Sequence, residues 1–221
     1  MVLLSGGLDS SVNLLAAREQ AEVVLALTFD YGQRASVREI AAAKKMATHF
    51  QIPHEVVALP FFKNWGQSSL TDHQKAVPTG NQVSIDDMKT STQTAKSVWV
   101  PNRNGVFLNI AAGFAESLGA DAIIPGFNRE EAATFPDNSQ AFLEAMTNTL
   151  RFSTSNKVQV KCLTTDLNKS EIVQLGVRLG MDWSWIWPCY LSGPKWCGQC
   201  ESCQRAKRAF AQNQVPVSAF F

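Results

Sequence analysis

Two stretches of this sequence bring together residue types that can do chemistry. The first is Ser5-Gly6-Gly7-Leu8-Asp9-Ser10-Ser11, between the apolar run Val2-Leu3-Leu4 and a segment with Val12, Leu15 and Ala16 at helical spacing. Glycines let a backbone turn tightly and approach a ligand closely. A helix start adds unpaired N–H groups and the positive end of its dipole. With the hydroxyls of Ser10 and Ser11, such a loop favours an anion such as pyrophosphate, and Asp9 could hold Mg²⁺ against the phosphates. A plain turn with an N-cap would use similar residues. The pattern is neither the Gly-Lys-Ser/Thr loop of Walker A numerology nor G-x-G-x-x-G.

The second stretch is Cys189-x7-Cys197-x2-Cys200-x2-Cys203. Four thiolates can close a tetrahedral Zn²⁺ site with no position left for water, which would make the ion structural. An iron–sulfur cluster also takes four cysteines, although this spacing differs from the ferredoxin runs. A redox C-x-x-C needs only two, and a nucleic-acid finger would want more basic surface than Lys195, Arg205, Lys207 and Arg208 provide. Four of the five cysteines fall in this one stretch, which points to a metal in a reducing compartment and not to a secreted disulfide scaffold. Cys162 stands apart in an apolar run and reads as a small core residue.

The elements that must position these residues alternate. Apolar runs at Val2–Leu4, Val23–Phe29, Glu55–Leu59, Asp121–Phe127 and Val158–Leu163 read as strands. Helical spacing covers Ser10–Glu19, Arg34–Phe50, Asn104–Leu118, Asn138–Phe152 and Lys169–Leu179, with Gly119 and Gly180 as caps. The expected fold is a single α/β, Rossmann-like domain over 1–182, with a mostly parallel sheet of about five strands and a small zinc-binding lobe over 183–221. Pro60–Ser97 lacks periodicity and reads as a long surface insertion. Trp183, Trp185, Trp187 and Trp196 crowd the cysteine lobe and read as packing. His49, His54 and His73 have no ligand-like spacing; His49 and His54 read as surface residues near a helix end.

Composition narrows the function classes. Lys and Arg number 20 against 19 Asp and Glu, and this net charge of +1 gives little support for binding a polyanion such as tRNA. Hydrophobic residues at 45% argue against disorder. No apolar run reaches the roughly 20 residues that span a bilayer. The N-terminus lacks the charged region and cleavage pattern of a signal peptide, so a cytoplasmic location is expected.

The loop resembles the S-G-G-x-D-S signature of the PP-loop ATP pyrophosphatases, which split ATP between its α- and β-phosphates and adenylate a substrate oxygen. With the cysteine pattern, the chain resembles the 7-cyano-7-deazaguanine (preQ0) synthase family of the queuosine pathway along almost its whole length. Phe29-Asp30-Tyr31-Gly32-Gln33-Arg34 follows the second strand as in that family, and Val100-Pro101-Asn102-Arg103-Asn104 is similar to its V-P-x-R-N. Gly126-Phe127-Asn128 is similar to its G-V-N, and Leu167-Asn168-Lys169-Ser170-Glu171-Ile172-Val173 to its L-x-K-A-E-I-V. Pro188-Cys189-Tyr190 and Cys197-Gly198-Gln199-Cys200-Glu201-Ser202-Cys203 resemble its S-C-Y and C-G-x-C-x-S-C.

The resemblance implies an enzyme, an adenine nucleotide alpha-hydrolase-like ligase. It would convert 7-carboxy-7-deazaguanine and ammonia to the nitrile with ATP, Mg²⁺ and a structural Zn²⁺, with free ammonia as donor because the sequence leaves no room for a glutaminase domain. The implied nucleotide site runs Leu4, Ser5, Gly6, Gly7, Leu8, Asp9, Ser10, Ser11, Val12, Asn13 and Leu14. The implied catalytic residues are Asp9, Ser10, Arg103 and Lys169, and the substrate residues Arg103, Asn104, Asn128 and Asp137. Read as residues alone, Arg103 is an anion clamp or a helix-start residue, Lys169 a polyphosphate contact or a helix-start lysine, and Asp137 a purine-edge acceptor or a turn residue. The family resemblance implies a homodimer, with which Phe220 and Phe221 are compatible.

The sequence also departs from the family. Where the family reads x-x-D-x-S-G-Y-P-D-C-R after the asparagine, residues 129–139 carry Glu131 for Asp, Ala133 for Ser, Thr134 for Gly, Phe135 for Tyr and Asn138 for Cys. The alternatives are a PP-loop enzyme that adenylates another carboxylate, and a zinc-containing nucleic-acid-binding module with a vestigial loop.

Overall fold

The structure, a computed structural model, describes residues 1–66 and 68–221; Gln67, inside the Pro60–Ser97 insertion, lies outside the described residues. Strand β1 (Val2–Leu3) pairs in parallel with β2 (Ala26–Asp30), and β2 pairs in parallel with β3 (His54–Ala58). A second parallel pair joins β4 (Ala122–Ile123) to β5 (Gln159–Val160). The bridge between Val2 and Ile124 lays β4 beside β1: Leu3 N donates to Ile124 O at 2.9 Å and Ile124 N to Met1 O at 3.0 Å. The strand order is therefore β3-β2-β1-β4-β5. The order reverses between β1 and β4, and in open parallel sheets ligands bind at that reversal, beyond the carboxyl ends of the strands.

Helices α1 (Leu8–Arg18), α2 (Ser36–His49), α4 (Arg103–Ser117) and α6 (Gln140–Ser153) connect the strands. Helix α1 is buried from Leu8 to Ala17, because the sheet covers one side and α7 (Lys169–Arg178) another. A helix covered on several sides has no polar stripe, which is why its sequence shows little amphipathicity. A capping box starts α7: Asn168 Oδ1 accepts from Glu171 N at 2.9 Å, and Glu171 Oε2 accepts from Asn168 N at 2.7 Å. Helix α8 (Glu201–Gln212) packs on α7, and its Ala206, Ala209 and Phe210 join the same hydrophobic core.

Several expectations need correction. The insertion is not wholly irregular: it holds α3 (Met88–Val98), whose first turn Asp87 caps by accepting from Thr90 N at 2.8 Å. Its buried face includes Ser91 and Thr94, which bond to Glu201 and Arg205 of α8. A helix buried through hydroxyls shows no hydrophobic period. β2 begins at Ala26 and not at Val23. β4 and β5 are shorter than their apolar runs, and Pro125 has no N–H to continue a ladder. Cys162 lies beyond β5, half-buried among polar partners: its thiol donates to Phe127 O at 3.4 Å and its sulfur accepts from Phe127 N at 3.3 Å. His54 is not a surface residue near a helix end but sits half-buried in β3, its ring 2.8 Å from Thr28 Oγ1, whereas His49 is exposed at the end of α2 as expected, against Trp185. Phe220 and Phe221 are half-buried and pack on Trp196.

Past Pro125 the chain passes directly over the start of α1. A β-carbon on Gly126 would meet Ser10 N at 2.5 Å and Ser10 Cα at 2.6 Å. Both are main-chain atoms of a buried helix and cannot step aside. Gly126→Ala is therefore expected to destabilise the fold by about 2 kcal/mol or more, read as a lowered midpoint in denaturant unfolding.

Candidate active site

The loop before α1 is held from several sides. Ser5 Oγ lies 2.9 Å from Ser10 Oγ, Ser5 N donates to Ser10 Oγ at 3.2 Å, and Gly7 N donates to Ser5 Oγ at 3.3 Å. Gly6 has a φ of +77°, and a β-carbon there would lie 2.4 Å from Glu39 O in α2. Its own carbonyl accepts from Trp187 N at 2.7 Å. The loop is thus clamped between α2 and the segment leading to Cys189, with the α1 N-terminus open to the cleft.

Beneath it lies a buried charge cluster. Lys169 Nζ, at the start of α7, reaches Asp9 Oδ2 at 2.5 Å and Glu131 Oε1 at 2.7 Å. Glu131 belongs to α5 (Arg129–Ala132). Asn128 caps α5 by accepting from Glu131 N at 2.9 Å, which turns its amide N–H₂ toward Asp9 Oδ2 at 3.0 Å. Asp9 Oδ1 is buried and has no hydrogen-bond partner among the described residues. Burial pushes the Asp9 carboxyl up to about 6; Lys169 opposes that shift and Glu131 adds to it. Burial disfavours the Lys169 ammonium, but Asp9 and Glu131 outweigh it and raise its pKa above the ordinary value.

Arg103, at the start of α4, forms the opposite wall and donates to Tyr31 OH at 3.2 Å. Asn104 Nδ2 donates to the carbonyl of Asp137 at 3.3 Å. The cleft between these walls has a volume of about 230 Å³. Of the sequence-derived residues, Leu4, Ser5, Gly7, Leu8, Asp9, Ser10, Arg103, Asn104 and Lys169 line it. Ser11, Val12, Asn13 and Leu14 are buried in the body of α1, and Gly6 lies behind the loop surface. Asn128 is fully buried behind Asp9 and uses both side-chain polar atoms there, and Asp137 lies outside the lining.

Two lining carboxylates escaped the site reading. Glu131 was visible only as a departure from the family's aspartate. Glu39 was an unremarked polar position on α2. Burial pushes the Glu39 carboxyl up to about 7, against a hydrogen bond from Gln33 and the charge of Arg103.

The four cysteine sulfurs Cys189, Cys197, Cys200 and Cys203 lie within 4.8 Å of one another, and could hold one metal ion. Backbone N–H groups of Leu191 and Cys197 donate to Cys189 Sγ, both at 3.3 Å, and Cys200 N donates to Cys197 Sγ at 3.3 Å. Such donors favour thiolates over thiols.

Residues 1–214 match the family model described as queuosine biosynthesis protein QueC. The chain belongs to that family. It is 60% identical over 222 residues to a 7-cyano-7-deazaguanine synthase of Bdellovibrio bacteriovorus, covering 100% of this chain and 96% of that one. It is 44% identical over 213 residues to a 7-cyano-7-deazaguanine synthase of Methanosarcina mazei, covering 95% of this chain and 92% of that one. The fold is also that of the solved U34-tRNA thiolase NcsA from Methanococcus maripaludis, a structure with a 4Fe-4S cluster. That likeness has a TM-score of 0.50 and 17% identity, over 97% of this chain and 64% of the other. Among the described residues no helix is long and apolar enough to cross a membrane.

Two outcomes follow for this QueC-family chain. Lys169→Met would leave buried Asp9 beside half-buried Glu131 without their shared cation and is expected to cost about 3 kcal/mol of stability in chemical denaturation. Glu39 gives a pH dependence. Its folded pKa of about 7 exceeds the ordinary 4.5 of a glutamate, so between those pH values the folded state binds more protons than the unfolded one. Stability therefore falls as pH rises through that window, by at most about 3 kcal/mol. Denaturation midpoints of Glu39→Gln measured across pH 4–8 should fall less steeply than those of the parent.

Proposed function

We propose that this chain converts 7-carboxy-7-deazaguanine and ammonia to 7-cyano-7-deazaguanine at the expense of ATP. The observation that carries this reading is the 60% identity to a 7-cyano-7-deazaguanine synthase across 100% of this chain and 96% of that one. A carboxylate oxygen is a poor leaving group and AMP a good one. In the proposed sequence the carboxylate is adenylated, ammonia displaces AMP to give the amide, and a second adenylation drives loss of the amide oxygen. The protein's share is to bind ATP, place the carboxylate in line with the α-phosphate, and stabilise the developing charge.

The residue roles belong to the same proposal. The Ser5–Ser11 loop and the α1 N-terminus cradle the phosphates, with Ser10 donating from within, while Leu4 to Leu14 fix that loop on the sheet. Arg103 receives the substrate carboxylate or a phosphate oxygen, and Asn104 shapes the pocket beside it. Lys169 steadies both Asp9 and the polyphosphate. Asn128 orients Asp9 from behind, and Asp137 fixes Asn104 through its carbonyl. The orphaned Asp9 Oδ1 fits a cation ligand, since a buried carboxylate oxygen without a partner is costly unless a ligand completes it. Mg²⁺ bound there would neutralise charge on the phosphates as pyrophosphate leaves.

The cysteine cluster is proposed to hold one structural Zn²⁺ within the 183–221 lobe, with 1–182 as the ATP-binding unit. Four thiolates about 2.3 Å from a tetrahedral ion stand roughly 3.8 Å apart; Cys197 Sγ and Cys203 Sγ are separated by 3.9 Å. A cubane cluster spreads its thiolates over four separate irons and needs a wider cage. A homodimer and a cytoplasmic setting complete the proposal, both resting on the resemblance to the family.

Mass spectrometry of a mixture of protein, Mg²⁺-ATP, ammonium and 7-carboxy-7-deazaguanine tests the reaction. Nitrile and AMP are expected from the parent and not from Asp9→Ala; ATP binding with neither amide nor nitrile would move the search to other planar carboxylates. Elemental analysis is expected to find one zinc per chain. Cys200→Ser should lose it and lower the unfolding midpoint by roughly 10 °C or more. Iron with visible absorbance would overturn the assignment.

A further inference from the structure

Three carboxylates line the cleft: Asp9, Glu39 and Glu131. Asp9 and Glu131 are both engaged by Lys169. Glu39 makes no ion pair among the described residues, yet it sits beside the phosphate loop, because its own carbonyl packs directly against Gly6. Its side chain is deliberately oriented. Gln33 Oε1 accepts from Tyr31 N at 2.9 Å, which fixes the amide; Gln33 Nε2 then donates to Phe29 O at 3.1 Å and to Glu39 Oε2 at 2.8 Å. One carboxylate oxygen is held, and Oε1 has no hydrogen bond among the described residues. The charged or titratable groups around it are Arg103, Asp30, Cys189 and Tyr31.

Resting on the reaction proposed above, we infer that Glu39 is the general base of its two nitrogen steps. In the first, ammonia attacks the acyl carbon of the adenylate. A C–N bond forms, an N–H proton passes to Glu39, the C–O bond breaks, and AMP departs with its electron pair. In the second, the amide oxygen has attacked the α-phosphorus of ATP, pyrophosphate has left, and one amide N–H proton has passed to solvent, giving an O-adenylated imidate. Glu39 takes the remaining N–H proton, the freed pair forms the third C–N bond, and AMP departs again. Between the two, Glu39 returns its proton to solvent through the open cleft. A carboxyl that titrates near neutrality can accept and release a proton in alternation.

Glu39→Gln separates these steps from adenylation, since glutamine can still accept the Gln33 hydrogen bond. Pyrophosphate exchange into ATP in the presence of 7-carboxy-7-deazaguanine reports adenylation alone and shows that the variant is folded. The expected result is exchange within about threefold of the parent, with ammonia-dependent amide and nitrile formation reduced roughly 10²-fold or more. Glu39→Asp, which keeps a carboxylate but withdraws it, should lie between the two in amide formation. Exchange falling in step with amide formation in both variants would overturn the inference, as would amide formation unchanged in Glu39→Gln. Parent protein that shows no exchange with this acid would contradict the reaction itself, and the inference with it.

Discussion

The ammonium of Lys169 sits in the interior where α1, α5 and α7 converge, and the arrangement of all three depends on it. An unpaired charge at that depth would cost several kcal/mol, and so would either carboxylate without it. The cluster therefore holds together as a unit or not at all. A charge cluster of this kind is weak evidence for extra stability, since well-packed apolar side chains can do as well. Its value here is positional. It leaves one oxygen of Asp9 committed to protein and the other uncommitted, at the mouth of a helix start that attracts phosphate.

The same constraint reaches the cysteine lobe. Glu130, beside Glu131 on α5, accepts from Lys169 N at 3.0 Å with one oxygen, and with the other from Arg205 at 2.9 Å and Arg208 at 2.6 Å. Both arginines belong to α8, which Cys200 caps and which carries Cys203 in its first turn. Arg205 also pairs with Glu201 at 2.8 Å, and Glu201 accepts from Thr94 of α3 at 2.7 Å. The insertion, the cysteine lobe and the start of α7 thus share one network of ion pairs and hydrogen bonds. A metal ion in that lobe would act on the reaction by keeping α8, and through it Glu130, in register with the phosphate loop.

Much of this was legible in the sequence where local chemistry decides structure. The Ser5–Ser11 loop, the Asn168–Glu171 cap and the cysteine spacing each encode their own geometry within a few residues. The alternation of apolar runs and helical spacing gave the parallel sheet, though not the point at which Pro125 turns the chain off β4. What stayed hidden depends on distant partners. Helix α3 buries Ser91 and Thr94 against charged groups more than 100 positions away, so no hydrophobic pattern announces it. Glu39 acquires its character from Gln33, Arg103 and burial, none of which its helical neighbours reveal. Residues 129–139 form a single divergent block in the sequence, and the structure divides them. Glu131, Phe135 and Asn138 line the cleft, whereas Ala133 and Thr134 face a separate groove with Arg205 and Arg208.

The most direct test of this account is a crystal structure with Mg²⁺ and a non-hydrolysable ATP analogue. The account predicts a metal ion about 2.1 Å from Asp9 Oδ1, phosphates on the N–H groups at the start of α1, and Lys169 still bound to Asp9 Oδ2 and Glu131. A nucleotide seated elsewhere, or a metal that leaves Asp9 untouched while Lys169 swings away from it, would contradict it.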